Sequence, residues 1–481
     1  MSGSDNPGGE PGAIVAEVRE GEYGASIRTV EPGGAEFIPL TDRHGTPWQL
    51  FRTWMSPNLE FSTVFIGVIS VWFFGLTVTQ AIIACFIGTA LGSLTHGFLS
   101  SRGPLFGVPE MIISRIPFGF RGNLLPAGLN AIIAGVGWFA VNSVSGTFAL
   151  HSLTGLPNVP SLIIVILAQV AVAYMGHNFL QSFERWVFPI LAVAFILAFI
   201  WVVPAADVGF TPETPGGLGG ILIVVGASFG YAAGWNPFAS DYTRYLAPTV
   251  NRKTTGLAAG LGILVSCVLL EALGAFAATL AFNPDDPTGV FISPMPMLVG
   301  KFVLLAIILG SICANAINLY SGSMSFLSLG FNLHASLRRT ITTVVFGVLG
   351  GLLALYGLEN VHVYENFLLV IAYWVGPWLG VVFMDWILRK GHRVDGFMFD
   401  HKHTPWGGWV AMLVAMVVSI WGFSNQVQYV GPVPTSISAL GDIAFEVGFV
   451  LAAVLYLIFF KLQKEPTDEV LIIPDSAVES V

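Results

Sequence analysis

Long apolar runs, separated by short polar segments, constrain the fold of this chain more than any other feature of its sequence. Each run is close to the roughly 20 residues that an α-helix needs to cross a hydrocarbon core of about 30 Å. We therefore predict an all-α polytopic membrane protein with about 12 transmembrane helices. The predicted spans lie near residues 59–78, 80–99, 124–149, 160–179, 186–204, 217–238, 255–281, 297–321, 340–357, 363–388, 406–423 and 443–461.

The distribution of charge indicates an even number of spans. Only 10% of the 481 residues are charged, whereas an ordinary soluble chain carries roughly a quarter. Of the 20 Lys and Arg residues, every one except Lys301 falls in a tail or loop on the same side of this topology. Cytoplasmic segments of membrane proteins carry such a basic excess. We therefore expect a multi-pass protein of the cell (inner) membrane with both termini in the cytoplasm.

The sequence carries no pattern of a catalytic or metal site. Its cysteines, Cys85, Cys267 and Cys313, all lie within apolar runs and predict neither a disulfide framework nor a metal site. We find no phosphate-binding loop, nucleophile elbow or HExxH motif. The net charge of −9 comes largely from the tails, which gives no indication of a nucleic-acid partner. We therefore expect neither an enzyme nor an ATP-driven pump, and no cofactor.

Polar side chains at membrane depth cluster on three of the predicted spans. In a bilayer such groups need an internal partner or a water-filled cavity. A membrane Asn often serves only as a helix–helix hydrogen bond, and a Trp often lies in an interfacial belt. Their clustering favours a binding site, because Asn amides suit the edge of a planar heterocycle and aromatic rings stack on its face. The residues are Trp138 and Asn142 on the third span, Tyr231 and Trp235 on the sixth, and Asn315 and Asn318 on the eighth.

Glu271 is the carboxylate nearest the middle of a span. It is compatible with two roles, a proton-coupling group and a neutral, hydrogen-bonded packing residue. Glu60, Glu365, Asp385 and Glu446 lie nearer the predicted helix ends, where a structural role is the simpler interpretation.

Several motifs resemble the nucleobase:cation symporter-1 family, and within it the purine–cytosine permease branch. The resemblance extends over residues 50–460 in order and spacing. It rests on residues 100–104 (SSRGP), 114–126 (SRIPFGFRGNLLP), 137–142 (GWFAVN), 228–231 (SFGY), 234–244 (GWNPFASDYTR), 318–321 (NLYS), 376–377 (GP) and 385–386 (DW).

The resemblance implies a leucine-transporter-type fold, with two inverted repeats of five helices and two additional C-terminal helices. It divides the chain into a disordered cytoplasmic N-tail (1–55), a first repeat (56–204), a second repeat (205–390), two further transmembrane helices (391–463) and a cytoplasmic C-tail (464–481). In such transporters the substrate lies near the midplane beside interrupted helices.

The resemblance also implies positions for substrate contacts. They are Ser62 on the first span, Trp138 and Asn142 on the third, and Asn318, with Asn315 one turn earlier, on the eighth. An aromatic residue is expected beside the break of the sixth span. Tyr231 and Trp235 are both candidates, and we slightly prefer Trp235.

Sodium-using relatives carry hydroxyl residues five and six positions before the Asn of the eighth span. Here these positions are Cys313 and Ile312, and the side of that site on the first span is Asn58 and Phe61. A hard cation prefers oxygen ligands, so we favour proton coupling, although backbone carbonyls and Ser311 could compensate. The ion-coupling candidates are thus Asn58, Phe61, Glu271 and Cys313.

The resulting expectation is import of a nucleobase, cytosine or a purine, by proton-coupled symport with alternating access. The expected partners are a small planar heterocycle, a coupling cation and the lipid bilayer, with no obligate protein partner. Sodium coupling, or another ring such as allantoin, a hydantoin, uracil or thiamine, stays an alternative within the family. A substrate-selective channel is the alternative from another class.

Overall fold

The computed structural model describes residues 36–467 except 176, 282, 284, 331–334 and 359–362. Twelve spans, two of them interrupted, account for most of the described chain. Their helices are α1a (Gln49–Met55), α1b (Phe61–Trp72), α2 (Val78–Ser100), α3 (Leu124–Thr154), α4 (Asn158–Tyr174), α5 (His177–Ala205), α6a (Gly217–Ala233), α6b (Ala239–Thr243), α7 (Arg252–Ala277), α8 (Met297–Leu327), α9 (Ala335–Gly357), α10 (Val363–Leu388), α11 (Gly407–Phe423) and α12 (Ala444–Gln463).

The helices fall where the apolar runs predict them. Within the described residues, eight helices are long and apolar enough to cross a membrane, and four shorter apolar helices account for the other spans. The predicted all-α polytopic fold is confirmed. Short helices in the connections include Gly103–Phe106, Glu110–Ile113, Arg115–Gly122, Pro287–Ile292, Gly396–Phe399 and Pro432–Ser436.

The first span begins earlier than the sequence predicts. The expectation of a disordered tail over residues 1–55 is wrong for residues 36–55, and residues 1–35 lie outside the described part. Helix α1a packs against α7 and α5 and buries Leu50 and Trp54. Arg52 and Thr53 interrupt its apolar run, so hydropathy alone assigned this half-helix to the tail.

The start and the end of the described chain are both held by contacts with the bundle. Ile38 is fully buried, and its backbone N–H donates to the carbonyl oxygen of Gly107 at 2.9 Å. Near the other end, Arg389 contacts the carbonyl oxygen of Pro466 and the carboxylate of Glu465. The predicted C-tail is therefore anchored at its first residues, and residues 468–481 lie outside the described part.

Both the first and the sixth spans are interrupted. The first contains a 3₁₀ turn (Ser56–Asn58) and becomes helical again at Phe61, with Glu60 in an extended conformation as its N-cap. The sixth ends α6a at Ala233 and passes through a 3₁₀ turn (Asn236–Phe238) into α6b. Such breaks leave backbone groups without helical partners, so they are tolerated at membrane depth only where protein surrounds them.

Glycine allows α1b and α7 to lie with their backbones in contact. A Cβ atom at Gly67 would lie 1.9 Å from the carbonyl oxygen of Glu271, and one at Gly274 would lie 1.8 Å from that of Val64. Small residues permit this close approach of membrane helices. The contact fixes the C-terminal half of the first span, α1b, against α7.

We expect Gly67→Ala to lower stability by about 1–3 kcal/mol, because the methyl group has no room between the two backbones. Thermal unfolding of the detergent-purified protein measures the loss. Gly422→Ala in α11 is the matched control, since a Cβ there meets nothing within 4 Å. An equal effect of both substitutions would show that the close contact is not the cause.

Candidate functional site

The two interruptions face each other in the interior of the bundle. The indole Nε1–H of Trp235, beside the sixth-span break, donates to Asn58 Oδ1 at 2.9 Å. Asn58 in turn donates its Nδ2–H to the carbonyl oxygen of Trp54 at 2.7 Å. All three side chains are buried. These bonds join α1a, the break of the first span and the break of the sixth span into one unit.

The start of α1b is held by hydroxyl groups. Thr63 Oγ1 donates to the carbonyl oxygen of Asn58 at 2.7 Å, and it lies 2.5 Å from the hydroxyl of Tyr231 on α6a. The Ser62 hydroxyl lies 3.3 Å from the same Tyr231 oxygen. Tyr364 of α10 donates to the Ser62 carbonyl oxygen at 2.8 Å. Ser62, one of the predicted contacts, is therefore bonded to the hydroxyl groups of both Tyr231 and Tyr364.

Ser62 also begins a chain of side-chain hydrogen bonds that reaches α8. Its hydroxyl donates to Asn142 Oδ1 at 3.3 Å, and Asn142 Nδ2 donates to Asn315 Oδ1 at 3.0 Å. Asn315 donates to the carbonyl oxygen of Phe139 at 2.8 Å. The chain crosses from α1b through α3 to α8, so three of the predicted residues contact one another directly.

Asn318 does not take part in this chain of hydrogen bonds. It lies one helical turn after Asn315, and therefore on the same face of α8. Its side chain is fully buried, yet neither its Oδ1 nor its Nδ2 has a hydrogen-bond partner in the described part of the chain. Buried polar groups in proteins are nearly always paired, so the unpaired amide of Asn318 is a candidate contact for a ligand.

The aromatic candidates separate into two groups. Trp138 contacts Tyr231 edge-to-face, with ring centroids 5.1 Å apart, and Phe367 of α10 at 5.2 Å. Trp235 packs instead against Trp54 at 5.8 Å, on the side of α1a. The residue beside Trp138 is therefore Tyr231, whereas Trp235 holds the two breaks together.

A cavity lies next to this network. Ser62, Ser145 and Tyr364 are its hydroxyl-bearing residues, and Phe367, which also contacts Trp138, lies in its wall. The wall comes from α1b, α3, α9, α10 and the loop helix at Pro287, with the residues Phe61, Ser62, Phe65, Gly137, Ala140, Val141, Val144, Ser145, Phe148, Pro287, Leu353, Gly357, Val363, Tyr364 and Phe367.

The ion-coupling candidates do not form one site. Phe61 lines the cavity, whereas the Asn58 side chain and carbonyl oxygen are both engaged by hydrogen bonds. Cys313 is a buried free thiol, and the Ser311 hydroxyl donates to the carbonyl oxygen of Ile308 within its own helix. Glu271 lies on α7 and accepts from Thr89 at 2.8 and 3.0 Å. No group of three or more His, Cys, Asp or Glu side chains is suitably placed for a metal among the described residues.

Sequence reasoning missed three polar residues close to the two breaks. Glu60 was assigned to a helix end, but it is fully buried and its carboxylate accepts from the backbone N–H of Ser62. Thr63 was not identified at all. Glu184, at the start of the fifth span, is fully buried with both carboxylate oxygens unpaired. For Glu60 and Glu184 the available signal was a carboxylate within an apolar run. Pro57, near Glu60, and Arg185, next to Glu184, obscured this signal.

Two interrupted helices that face each other across a buried polar network, inside a bundle of membrane-length helices, define the class of secondary transporters. This protein is a multi-pass membrane transporter and not an enzyme. Residues 37–448 match the family described as permeases for cytosine/purines, uracil, thiamine and allantoin, and the chain belongs to that family.

Similar proteins and structures agree with this assignment. YxlA of Bacillus subtilis is 29% identical over 455 residues, covering 90% of this chain and 96% of its own. The purine-cytosine permease fcyB of Emericella nidulans is 27% identical over 457 residues, covering 90% and 89%. Mhp1, a nucleobase-cation-symport-1 family transporter solved closed with bromovinylhydantoin, superposes with a TM-score of 0.72, covering 95% of this chain and 100% of its own. At 19% identity, that structure shows the shared fold.

The contrast between Asn315 and Asn318 gives a test of the site without any ligand. We expect Asn315→Ala to destabilise the protein by about 1–3 kcal/mol, because Asn142 then loses a buried partner. Asn318→Ala should leave the melting temperature unchanged or slightly raised, since its amide has no partner to lose. Thermal unfolding of both variants in detergent measures this. A comparable loss for Asn318→Ala would mean that its amide is satisfied within the protein.

Proposed function

We propose that the protein imports a nucleobase, cytosine or a purine, by proton-coupled symport with alternating access. The observation that supports this most directly is the buried, unpaired amide of Asn318 beside the Ser62–Asn142–Asn315 chain. An amide offers two N–H donors and one oxygen acceptor. The edge of a nucleobase offers the complementary set.

The polar chain is suited to exchanging its partners for those of a base. In the described conformation Ser62, Asn142 and Asn315 bond to one another, so none of them is left unpaired before the substrate arrives. When a base binds, its hydrogen bonds to these side chains replace the bonds that the side chains make to one another. Desolvation of the site therefore costs little free energy. Asn318 gains a partner that it lacked, which favours the bound state.

The aromatic groups supply the face of the site. Trp138 and Tyr231 touch edge-to-face in this conformation. A planar ring that stacks on Trp138 must displace the edge of Tyr231, whose hydroxyl is bonded to Thr63 and Ser62 of α1b. Substrate binding would therefore be transmitted to the outer half of the first span.

The residues at the sodium position favour a proton as the coupling ion. Sodium prefers several hard oxygen ligands, and here a thiol, Cys313, and an aliphatic side chain, Ile312, replace the hydroxyl groups expected of sodium users. The Ser311 hydroxyl, the possible replacement, is bonded within its own helix. Several buried carboxylates offer an alternative site for a proton.

The basic residues support the orientation. With twelve crossings both ends of the chain lie on the same side, and every Lys and Arg except Lys301 belongs to that side. This distribution is typical of cytoplasmic loops in the cell membrane. In this orientation Phe148, Gly357 and Val363, which line the cavity beside Ser62, lie toward the exterior ends of their spans.

The first test is thermal stability of the purified protein against cytosine, adenine, uracil, allantoin, hydantoin and thiamine, with and without sodium. A ligand that binds only the folded state raises stability by about 2.7 kcal/mol at a hundredfold excess over its Kd. We expect cytosine or adenine to stabilise the protein, independently of sodium. Stabilisation by another ring alone, or only with sodium, would contradict the proposed substrate or the proposed ion.

We expect Asn318→Ala and Asn142→Ala each to weaken cytosine uptake roughly tenfold or more, because a buried polar group of the base loses its partner at a cost of about 1–3 kcal/mol. Initial uptake rates over a range of cytosine concentrations in proteoliposomes measure the change in KM. Ser419→Ala on α11, remote from the breaks, serves as control. An unchanged KM in a well-folded variant would remove that residue from the site.

A further inference from the structure

We infer that Glu184 on α5 is the group that carries the coupling proton, and that its charge holds α1a in the closed position through Arg52. This inference rests on the proposed function, since it names the site at which the proton enters the transport cycle.

The fully buried carboxylates close to the breaks or in the adjacent helices differ in their partners. Asp241 of α6b accepts from the backbone N–H of Glu110, whose own carboxylate accepts from the Ser240 hydroxyl. Glu271 is bonded at both oxygens by the Thr89 hydroxyl. Glu60 caps α1b through the backbone N–H of Ser62. Glu184 has no hydrogen bond at either oxygen in the described part of the chain. Glu184 is thus the carboxylate whose ionised form receives least support from hydrogen bonds.

The charged group that acts on Glu184 is Arg52. Arg52 lies on α1a, which packs directly against α5, and its Nε atom is buried without a hydrogen-bond partner. Glu184 is fully buried and the Arg52 side chain is half-buried, so solvent screens their attraction only in part. An ionised Glu184 therefore draws α1a toward α5, and a protonated Glu184 does not.

Other groups that Glu184 faces connect it to the transport path. On α8 its charge acts on Cys313, and on α6b it acts on Tyr242, whose ring packs against Trp54 at 5.3 Å. On its own helix Arg185 is exposed and acts on Arg52. The carboxylate thus lies among the inner half of the first span, the inner half of the sixth span and the position where sodium users bind their ion.

Arg52 is mechanically linked to the substrate site. It precedes Trp54 by two residues on α1a, and the Trp54 carbonyl oxygen accepts from Asn58, whose other amide atom accepts from Trp235. A movement of α1a away from α5 therefore pulls on the bonds that join the two breaks. The proton on Glu184 and the base beside Ser62 can act on the same element.

The cycle that follows balances one proton per base. A proton from the exterior forms an O–H bond on the Glu184 carboxylate and cancels the attraction for Arg52, so that α1a can swing away and open the cytoplasmic side. In the cytoplasm the O–H bond breaks and the proton leaves with the base. The restored charge draws Arg52 and α1a back, which closes the inner side and resets the transporter.

The experiment measures accumulation and exchange separately in proteoliposomes with the membrane potential clamped at zero. With the exterior one pH unit more acidic, one proton per base permits up to about tenfold accumulation of cytosine. We expect Glu184→Gln to reduce this ratio to about one while cytosine counterflow continues. Glu184→Asp, which keeps a titratable group, should retain accumulation. Glu446→Gln on α12, a partly buried carboxylate remote from the breaks, should behave as wild type.

A second readout follows the position of α1a. In a background of Cys85→Ser and Cys267→Ala, a membrane-impermeant maleimide applied from the cytoplasmic side reports on Cys313, which is buried in this conformation. Glu184→Gln and Arg52→Gln should each raise its labelling rate about fivefold or more, the lower end of ordinary coupling free energies. Unchanged labelling in both would contradict the role of the pair.

If the Glu184→Gln protein does not fold and insert into the membrane, the pH profile of cytosine uptake by Arg52→Gln tests the proposal instead. Removing the positive charge favours the protonated carboxylate, so the pH profile of cytosine uptake should move to higher pH. Full accumulation by Glu184→Gln, loss of accumulation by Glu271→Gln instead, or an unmoved profile in Arg52→Gln would overturn the assignment. Failure of the wild-type protein to accumulate cytosine or adenine would overturn the proposed function itself.

Discussion

An interrupted helix inside a bilayer must satisfy its freed backbone and polar groups within the protein or in a water-filled cavity, because the lipid hydrocarbon offers no hydrogen-bond partner. This constraint governs the interior of the transporter. The breaks of the first and sixth spans meet, and Asn58, Trp54 and Trp235 bind one break to the other. Polar side chains surround these breaks because their freed backbone groups cannot be exposed to lipid.

The side chains around the breaks follow two different strategies. Ser62, Asn142 and Asn315 satisfy one another, which keeps the site stable and ready to exchange partners. Asn318 and Glu184 stay unsatisfied. A membrane protein keeps buried, unpaired polar groups at a cost in stability, and such groups mark places where function outweighs packing. Asn318 lies beside the Ser62–Asn142–Asn315 chain, and Glu184 lies on α5, which packs against α1a.

Close backbone packing holds the C-terminal half of the first span, whereas other interactions hold its N-terminal half. Helix α1b is locked to α7 by Gly67 and Gly274, whose neighbours leave no room for a Cβ atom. Helix α1a instead packs beside α5, with the half-buried side chain of Arg52 on α1a and the unpaired, fully buried carboxylate of Glu184 on α5. Contacts between backbones do not switch, whereas an attraction between charges can be switched by one proton. In the proposed cycle the C-terminal half of the first span is therefore fixed and the N-terminal half is releasable.

Much of the fold and part of the site could be predicted from the sequence. The spans follow from hydropathy, and the proximity of Ser62, Asn142 and Asn315 follows from the resemblance of their motifs to a known family. Tyr231 and Trp235 were both candidates beside the sixth-span break, with Trp235 slightly preferred, and Tyr231 is the one that contacts Trp138, because the break redirects the chain after Ala233. Helix α1a escaped prediction because it is short and its apolar run is interrupted by Arg52 and Thr53.

The sequence by itself determined that the chain crosses the membrane repeatedly, where most crossings lie, and which spans carry polar groups at depth, because the cost of burying charge in lipid allows few alternatives. Only the tertiary structure decided which of those groups are satisfied. Asn315 and Asn318 are the same residue one turn apart, yet one is fully bonded and the other has no partner. Glu184, Glu271 and Glu60 are likewise indistinguishable as residue types. Their surroundings come from helices far apart in the chain, and hydrogen bonding depends on distances that no local pattern specifies.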